Sequence, residues 1–485
     1  MNPELKKWCD KDEKNSIGLR KEYLKFNVGL KYSKEKIKKL EKESEKHALY
    51  FLKHFEEPEI LKEACVGGIA GSKTYHLEMK FHEQRGKQIS TKKYKFAGKP
   101  VNWNTWRQFV VHADDKSRKE VFDTFIKKTS KISPLIKQKF DVATKIYRKY
   151  DMDPLEDYLK EHKMTLTQLE NVMKQLRDGV KKTFKKQFKE YAQRLFNKKP
   201  EYYDDFYFVR NALFNDMTCG FCNINPIQSI KRTMREMGLN PNKIQVDSKD
   251  RPKKYASPFC MAIQIPNNVW VSFKKENPVE DAKSIYHEFG HAIHFNMIDP
   301  KLPYWKKNLI SNGLAETFSI FFDHFMMDKK YLTKKLNLNA KYADELIRRH
   351  QFSNIFSIAF YTGNSLFRIK YWKNKMKFRD CDKEYAKELK KSMGLDIPGA
   401  YWKLHHILPE SLMYVPSYML ASIQQEKLMR TPLEEKYGKT WWQNKKSGKL
   451  VKELAAPGSD SKAADFSNLT KKDVMRYVKE LKRKS

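Results

Sequence analysis

Three histidines and a glutamate fall within eight positions of the stretch "SIYHEFGHAIHF", residues 284–295. Imidazole nitrogens and carboxylates are natural zinc ligands, so the first question is which of these side chains can meet at one ion. His287 and His291 stand four apart, which on a helix places them one turn above the other on one face. His294 lies near that face but seven residues from His287, roughly 10 Å along the axis at 1.5 Å per residue, too far to share the ion. Glu288 completes His-Glu-x-x-His, the pattern in which the glutamate serves as general base and not as a ligand. The chemistry these residues point to is hydrolysis by a metal-activated water.

A catalytic zinc takes a third protein ligand and keeps a fourth position for water. The segment "SNGLAETFSIFFDHFMMD" predicts an apolar helix with Ser311 or Asn312 as N-cap. Glu316, 25 residues beyond His291, is the one acid in its early turns, an expensive place for a carboxylate without a positive partner. Asp323 follows seven residues later on the same face, placed to orient a ligand. Two neutral imidazoles and one carboxylate leave Zn²⁺ a net positive charge, which lowers the pKa of its water toward about 7. Glu288 then takes the proton and hands it to the leaving amine.

The elements that must position these residues read as helices almost everywhere. Residues 3–64 form an amphipathic, heavily charged helical pattern that the Gly-rich "CVGGIAGSK" is expected to break. Tyr75, Leu77, Met79 and Phe81 then alternate as in a strand, with "KKYKFAGKPV" as partner, predicting a hairpin near 74–102. Helical periodicity returns from Asn104 to about Phe196, interrupted near "DMDPLED". A shift in composition after "NKKPEYYDD" suggests an N-terminal helical domain over 1–205 and a catalytic domain over 206–485. Just upstream of the histidine helix, "NNVWVSF" is the most strand-like segment, expected to be an edge strand able to hold an extended peptide by strand addition.

Composition bounds the class. The 485 residues, 40% hydrophobic and 13% aromatic, suffice for a globular core. No apolar run has the roughly 18 residues of a membrane span, and "MNPELKKWCDKDEKN" is charged where a signal peptide is apolar, so a cytoplasmic location is expected. Six cysteines make no disulfide framework. Cys219 and Cys222 in "TCGFC" lack a second Cys or His pair, and read as ordinary buried or incidental thiols. Lys and Arg number 97 against 59 acids, a net charge of +38. The lysines are interleaved with acids along helices and no nucleic-acid motif accompanies them, so the charge reads as solvated helix faces. Oligomeric state is not legible.

At the level of motifs, "HEFGHAIH" followed by "AETFSIFFD" resembles the gluzincin metallopeptidases of the thimet oligopeptidase and oligoendopeptidase family. Their third-ligand helix carries Glu, Ser and an acid at the spacings of Glu316, Ser319 and Asp323. The match extends from about residue 250 to 325, including "RPKKYASPFCMAIQIPNNVWVSFKKENPVEDAKSIYHE". Further on, "SMGLDIPGAYWKLHHILPESLMYVPSYMLAS" is similar to the carboxypeptidase Taq family, with His406, Tyr414 and Tyr418 in the order of its His and Tyr residues. Met413 stands where that family has Gly, and "QFSNIFS" stands near where it has an Ile-Arg-x-x-Ala-Asp stretch. The resemblance implies a mainly α gluzincin fold with a small β-sheet, enclosed with N-terminal helices around a deep channel. It also implies zinc-dependent cleavage of short, unstructured peptides, with His406, Tyr414 and Tyr418 steadying the oxyanion. The alternatives are a metallocarboxypeptidase and, from another class, a basic nucleic-acid or anionic-surface binder with a structural zinc site. A fourth protein ligand would mark the last, and none stands out.

Overall fold

The computed structural model describes residues 2–251, 253–255, 257–275, 277–405 and 412–483. Helices dominate, as the periodicity predicts. Helix α1, Pro3–Asn27, starts at an Asn2 cap with proline in its first turn, and α2, Lys34–His54, starts at a Ser33 cap. The two pack as a hairpin on α3, Glu59–Gln88. Leu5, Trp8, Cys9, Ala48, Phe51, Leu61, Cys65 and Ile69 form a small core between them.

Two expectations fail in this region. The Gly-rich segment does not end a helix but lies inside α3, where Cys65, Val66, Ile69 and Ala70 are buried. Tertiary burial there outweighs the roughly 1 kcal/mol that each helical glycine costs. Residues 75–81 also belong to α3 and not to a strand, because Leu77 and Phe81, four apart, are the pair that turns inward, while Met79 is exposed. The hairpin itself is β1, Ser90–Phe96, against β2, Lys99–Asn102. Its turn at Ala97 and Gly98 has both residues at positive φ (49° and 74°), the requirement of a two-residue hairpin loop.

Helix α4, Leu166–Phe196, opens with a reciprocal Thr165–Gln168 cap and packs along the long helix Ala340–Lys373. The main core runs from Phe81 to Leu481 and crosses residue 205 without interruption. A three-stranded sheet follows: β3, Ile244–Asp247, β4, Phe259–Gln264, and β5, Asn268–Ser272, in the order β3-β5-β4. β5 is parallel to β3 and antiparallel to β4. The strand in "NNVWVSF" is therefore central and has a neighbour on each side, so the open edge beside the histidine helix belongs to β4. Helices α5, Pro278–Met297, α6, Asn312–Asp323, α7, Ala340–Lys373, and α8, Val415–Gln425, complete the frame of the site. Among the described residues no helix is long and apolar enough to cross a membrane.

Candidate metal centre

Helix α5 is set by Asn277, whose side chain accepts from the backbone N–H groups of Val279 and Glu280, and by Pro278 in its first turn. Ser311 is the cap of α6, its hydroxyl accepting from Leu314 N–H at 3.1 Å. The two helices approach closely at Gly290, where an added Cβ would lie 2.6 Å from Phe318 O and from Ser319 Cα. That approach brings Glu316 to the histidines. His287 Nε2 is 3.3 Å from Glu316 Oε2 and His291 Nε2 is 3.7 Å from Oε1. One ligand atom from each of the three residues fits within 4.8 Å of the other two, and among the described residues no fourth metal-ligating side chain joins them.

Each ligand is held from behind. His287 Nδ1 faces Asp323 Oδ2 at 3.1 Å. The backbone of Ala315 lies against His291 and favours its protonated form. Glu316 accepts from Ser319 Oγ at 2.8 Å on Oε2 and from the Tyr414 hydroxyl at 2.5 Å on Oε1. Such partners fix ring and carboxylate orientation before a cation arrives.

The electrostatics of the group call for positive charge. Burial would raise the Glu316 carboxyl, but His291, His287 and the Tyr414 hydroxyl outweigh it and hold it near 2. Burial would likewise lower His287, but the Glu316 and Asp323 carboxylates hold it well above the ordinary histidine range. Burial prevails at His291, lowered to about 4 in spite of Glu316. A buried carboxylate between two imidazole nitrogens, with no Lys or Arg paired to it among the described residues, is the donor set of a divalent cation, and the residues present fit zinc.

Glu288 stands apart from this set. Burial, with Glu316 adding, pushes its carboxyl up to about 7, against the lowering effect of His287 and of the nearby Cys260 backbone. The Cys260 amide belongs to the open edge of β4, so Glu288 sits where an extended chain along that edge would pass. His294 plays no part in the cluster: it is fully buried and stacked on Phe318 at 4.0 Å and 6°. Burial lowers it to about 3.

Tyr414 and Tyr418 converge on the site from the start of α8, with ring centroids 5.2 Å apart. The Tyr414 hydroxyl is committed to Glu316. Tyr418 stacks on Tyr361 at 5.6 Å, and burial followed by the charges of Glu316 and Glu288 holds its hydroxyl well above the usual phenol range. His406 lies outside the described residues. Its neighbour His405 is buried against Phe360 and Tyr361. Cys219, in a 3₁₀ turn at the surface, and Cys222, just after it, are exposed, which fits incidental thiols and not buried ones. Cys260 and Ala315 are the site residues that the sequence did not announce. Both act through backbone groups, which leave no side-chain signature.

No family model matches the chain and no curated protein matches its sequence. Solved structures do share the fold. A Bacillus anthracis protein described as an oligoendopeptidase F is 15% identical with a TM-score of 0.58, covering 98% of this chain and 84% of that one. PZ peptidase A, solved with an inhibitor, also gives 15% and 0.58, over 100% and 89%. Metallocarboxypeptidase 1 of Trypanosoma cruzi gives 13% and 0.62, over 99% of each chain.

Proposed function

We propose that this chain is a zinc-dependent metallopeptidase that cleaves short, unstructured oligopeptides, with His287, His291 and Glu316 as metal ligands. The observation that carries the reading is the half-buried Glu288 carboxyl beside that three-residue cluster, on the side of the unpaired edge of β4. A cluster of three ligands leaves a coordination position open, as catalytic and not structural zinc requires. When bound, zinc supplies Lewis acidity to the peptide carbonyl and to the attacking water. Glu288 removes a proton from that water as its oxygen adds to the carbonyl carbon, then delivers the proton to the departing amide nitrogen as the C–N bond breaks. Tyr418 donates to the carbonyl oxygen as negative charge develops there. Tyr414 and Asp323 hold the ligands in place.

The solved structures of like fold include both an oligoendopeptidase and a carboxypeptidase. The endopeptidase reading is preferred because the motif match from residue 250 to 325 is to that family, whereas Met413 and "QFSNIFS" depart from the other. The roles are tested by two neighbouring substitutions. Glu288→Gln is expected to retain about one zinc per chain and lose hydrolysis by orders of magnitude, whereas Glu316→Gln loses the metal itself. Equal zinc content in the two variants would contradict the assignment.

A further inference from the structure

The open edge of β4 is not bare. In an antiparallel pairing, alternate residues of a strand turn their N–H and C=O groups to the same side. The Ala262 carbonyl is taken from outside the sheet, so it turns away from β5, and Cys260, two residues earlier, turns its amide to the same edge. That carbonyl accepts from Arg20 Nη1 of helix α1 at 3.3 Å. Two residues of strand span about 6.8 Å, so the guanidinium stands one dipeptide repeat from the Cys260 amide near Glu288.

Arg20 is held there by its helix. At the C-terminal end of α1, Tyr255 N–H donates to Asn27 O at 2.8 Å and Arg251 to Val28 O at 2.8 Å. Near the middle, the Tyr304 hydroxyl donates to Asp12 Oδ2 at 2.5 Å. The half-buried guanidinium makes this one hydrogen bond and, among the described residues, no ion pair, although most other buried or half-buried arginines here have a carboxylate. Arg349, for instance, pairs with Asp216 and Glu345, and Arg430 with Glu426 and Glu434. A planar fork with spare donors on the edge strand beside the site is a receptor for a carboxylate.

We propose that Arg20 is a specificity-determining residue: it receives a carboxylate of the peptide that lies along β4. This rests on the peptidase reading above. A peptide pairing with β4 takes the Ala262 carbonyl for its own N–H, and the displaced guanidinium needs a new acceptor. A carboxylate supplies it, where a neutral or cationic side chain does not. If the peptide runs antiparallel to β4, the carboxylate is an acidic side chain on the N-terminal side of the scissile bond. If it runs parallel, the carboxylate lies on the C-terminal side and includes the chain terminus.

The test walks a single Glu, against a Gln control, through each position of an octapeptide, with free and amidated C-termini. It is run on the wild type, Arg20→Ala and Arg20→Lys. In the wild type, one Glu position or the free terminus is expected to raise kcat/KM by about tenfold through KM, the size of one charge-assisted hydrogen bond in a half-exposed site. Arg20→Ala removes that advantage at that position alone, and Arg20→Lys keeps part of it. A Glu-position effect assigns the side chain, and loss on amidation assigns the terminus. An advantage that survives Arg20→Ala overturns the proposal, as does a wild type indifferent to carboxylate position or a variant that slows every peptide alike in kcat. Fluorescence anisotropy of the same labelled peptides on Glu288→Gln, with and without Arg20→Ala, reads the preference without hydrolysis. Arg20-dependent binding without turnover in the wild type would sink the peptidase reading and leave Arg20 only as the carboxylate receptor of a peptide-binding groove. Turnover with no Arg20-dependent preference would do the reverse.

Discussion

At the residue scale, the two tyrosines separate into different duties, which the sequence could not do because their spacing treats them alike. Tyr414 spends its hydroxyl on Glu316 Oε1, whereas Tyr418 lies within the field of Glu288. Tyr418→Phe is therefore expected to lower kcat by about 10²- to 10³-fold with little change in KM, the signature of a lost transition-state hydrogen bond. Tyr414→Phe should instead weaken zinc by about 10- to 100-fold, as other groups that orient ligands do, and so should Asp323→Asn. Zinc titration monitored by a competing chelator, paired with steady-state kinetics, checks both. A kcat loss at Tyr414 with zinc affinity unchanged would reverse the two roles. What was legible at this scale is what side-chain chemistry encodes: the i,i+4 histidines, the glutamate between them, and a lone acid in an apolar helix. The exclusion of His294 was legible from helix geometry alone, and its place against Phe318 agrees.

At the scale of elements, the centre depends on how closely α5 approaches α6, and one residue permits it. A Cβ at position 290 would meet Phe318 O and Ser319 Cα at 2.6 Å, backbone atoms that cannot step aside as a side-chain tip can. Gly290→Ala is expected to cost about 1–3 kcal/mol by overpacking, which the small helix-propensity gain of alanine does not recover. The same shift moves Glu316 from the histidines, so zinc content should fall together with Tm. A variant as stable and as zinc-replete as the wild type would show that the helices have room. Helices α5 and α6 were legible because capping residues and apolar periodicity agree over both. Two other elements were not. The alternation at 75–81 suits a strand and a helix equally until Leu77 and Phe81 are known to share a buried face. Strand order is a property of the whole sheet, so nothing local in "NNVWVSF" could say that it is central and that β4 holds the edge.

At the scale of the whole molecule, the charge of +38 acts on every approaching peptide, wherever the entrance to the site lies. Such a field steers acidic peptides by raising their encounter rate and fades as the Debye length contracts from about 30 Å at 0.01 M to about 3 Å at 1 M salt. Acidic octapeptides should be cleaved with a higher kcat/KM than basic ones at low salt, with the gap closing as salt rises. Unlike the effect assigned to Arg20, this one follows total charge and not position. A preference for basic peptides at low salt would reverse the sign of the argument. The mainly helical fold with its small sheet agrees with the one expected from the motifs, and it is shared with solved structures only 13–15% identical, because packing survives where sequence similarity does not. The claim on which the rest depends is that the cluster on α5 and α6 is a working metal centre for peptide hydrolysis. Its most direct test is mass spectrometry of a mixed peptide library incubated with the purified chain, alone, after chelation, and after zinc is restored. Internal cuts that vanish with the chelator and return with zinc are the predicted result; an undigested library in all three samples, or digestion indifferent to the chelator, would contradict it.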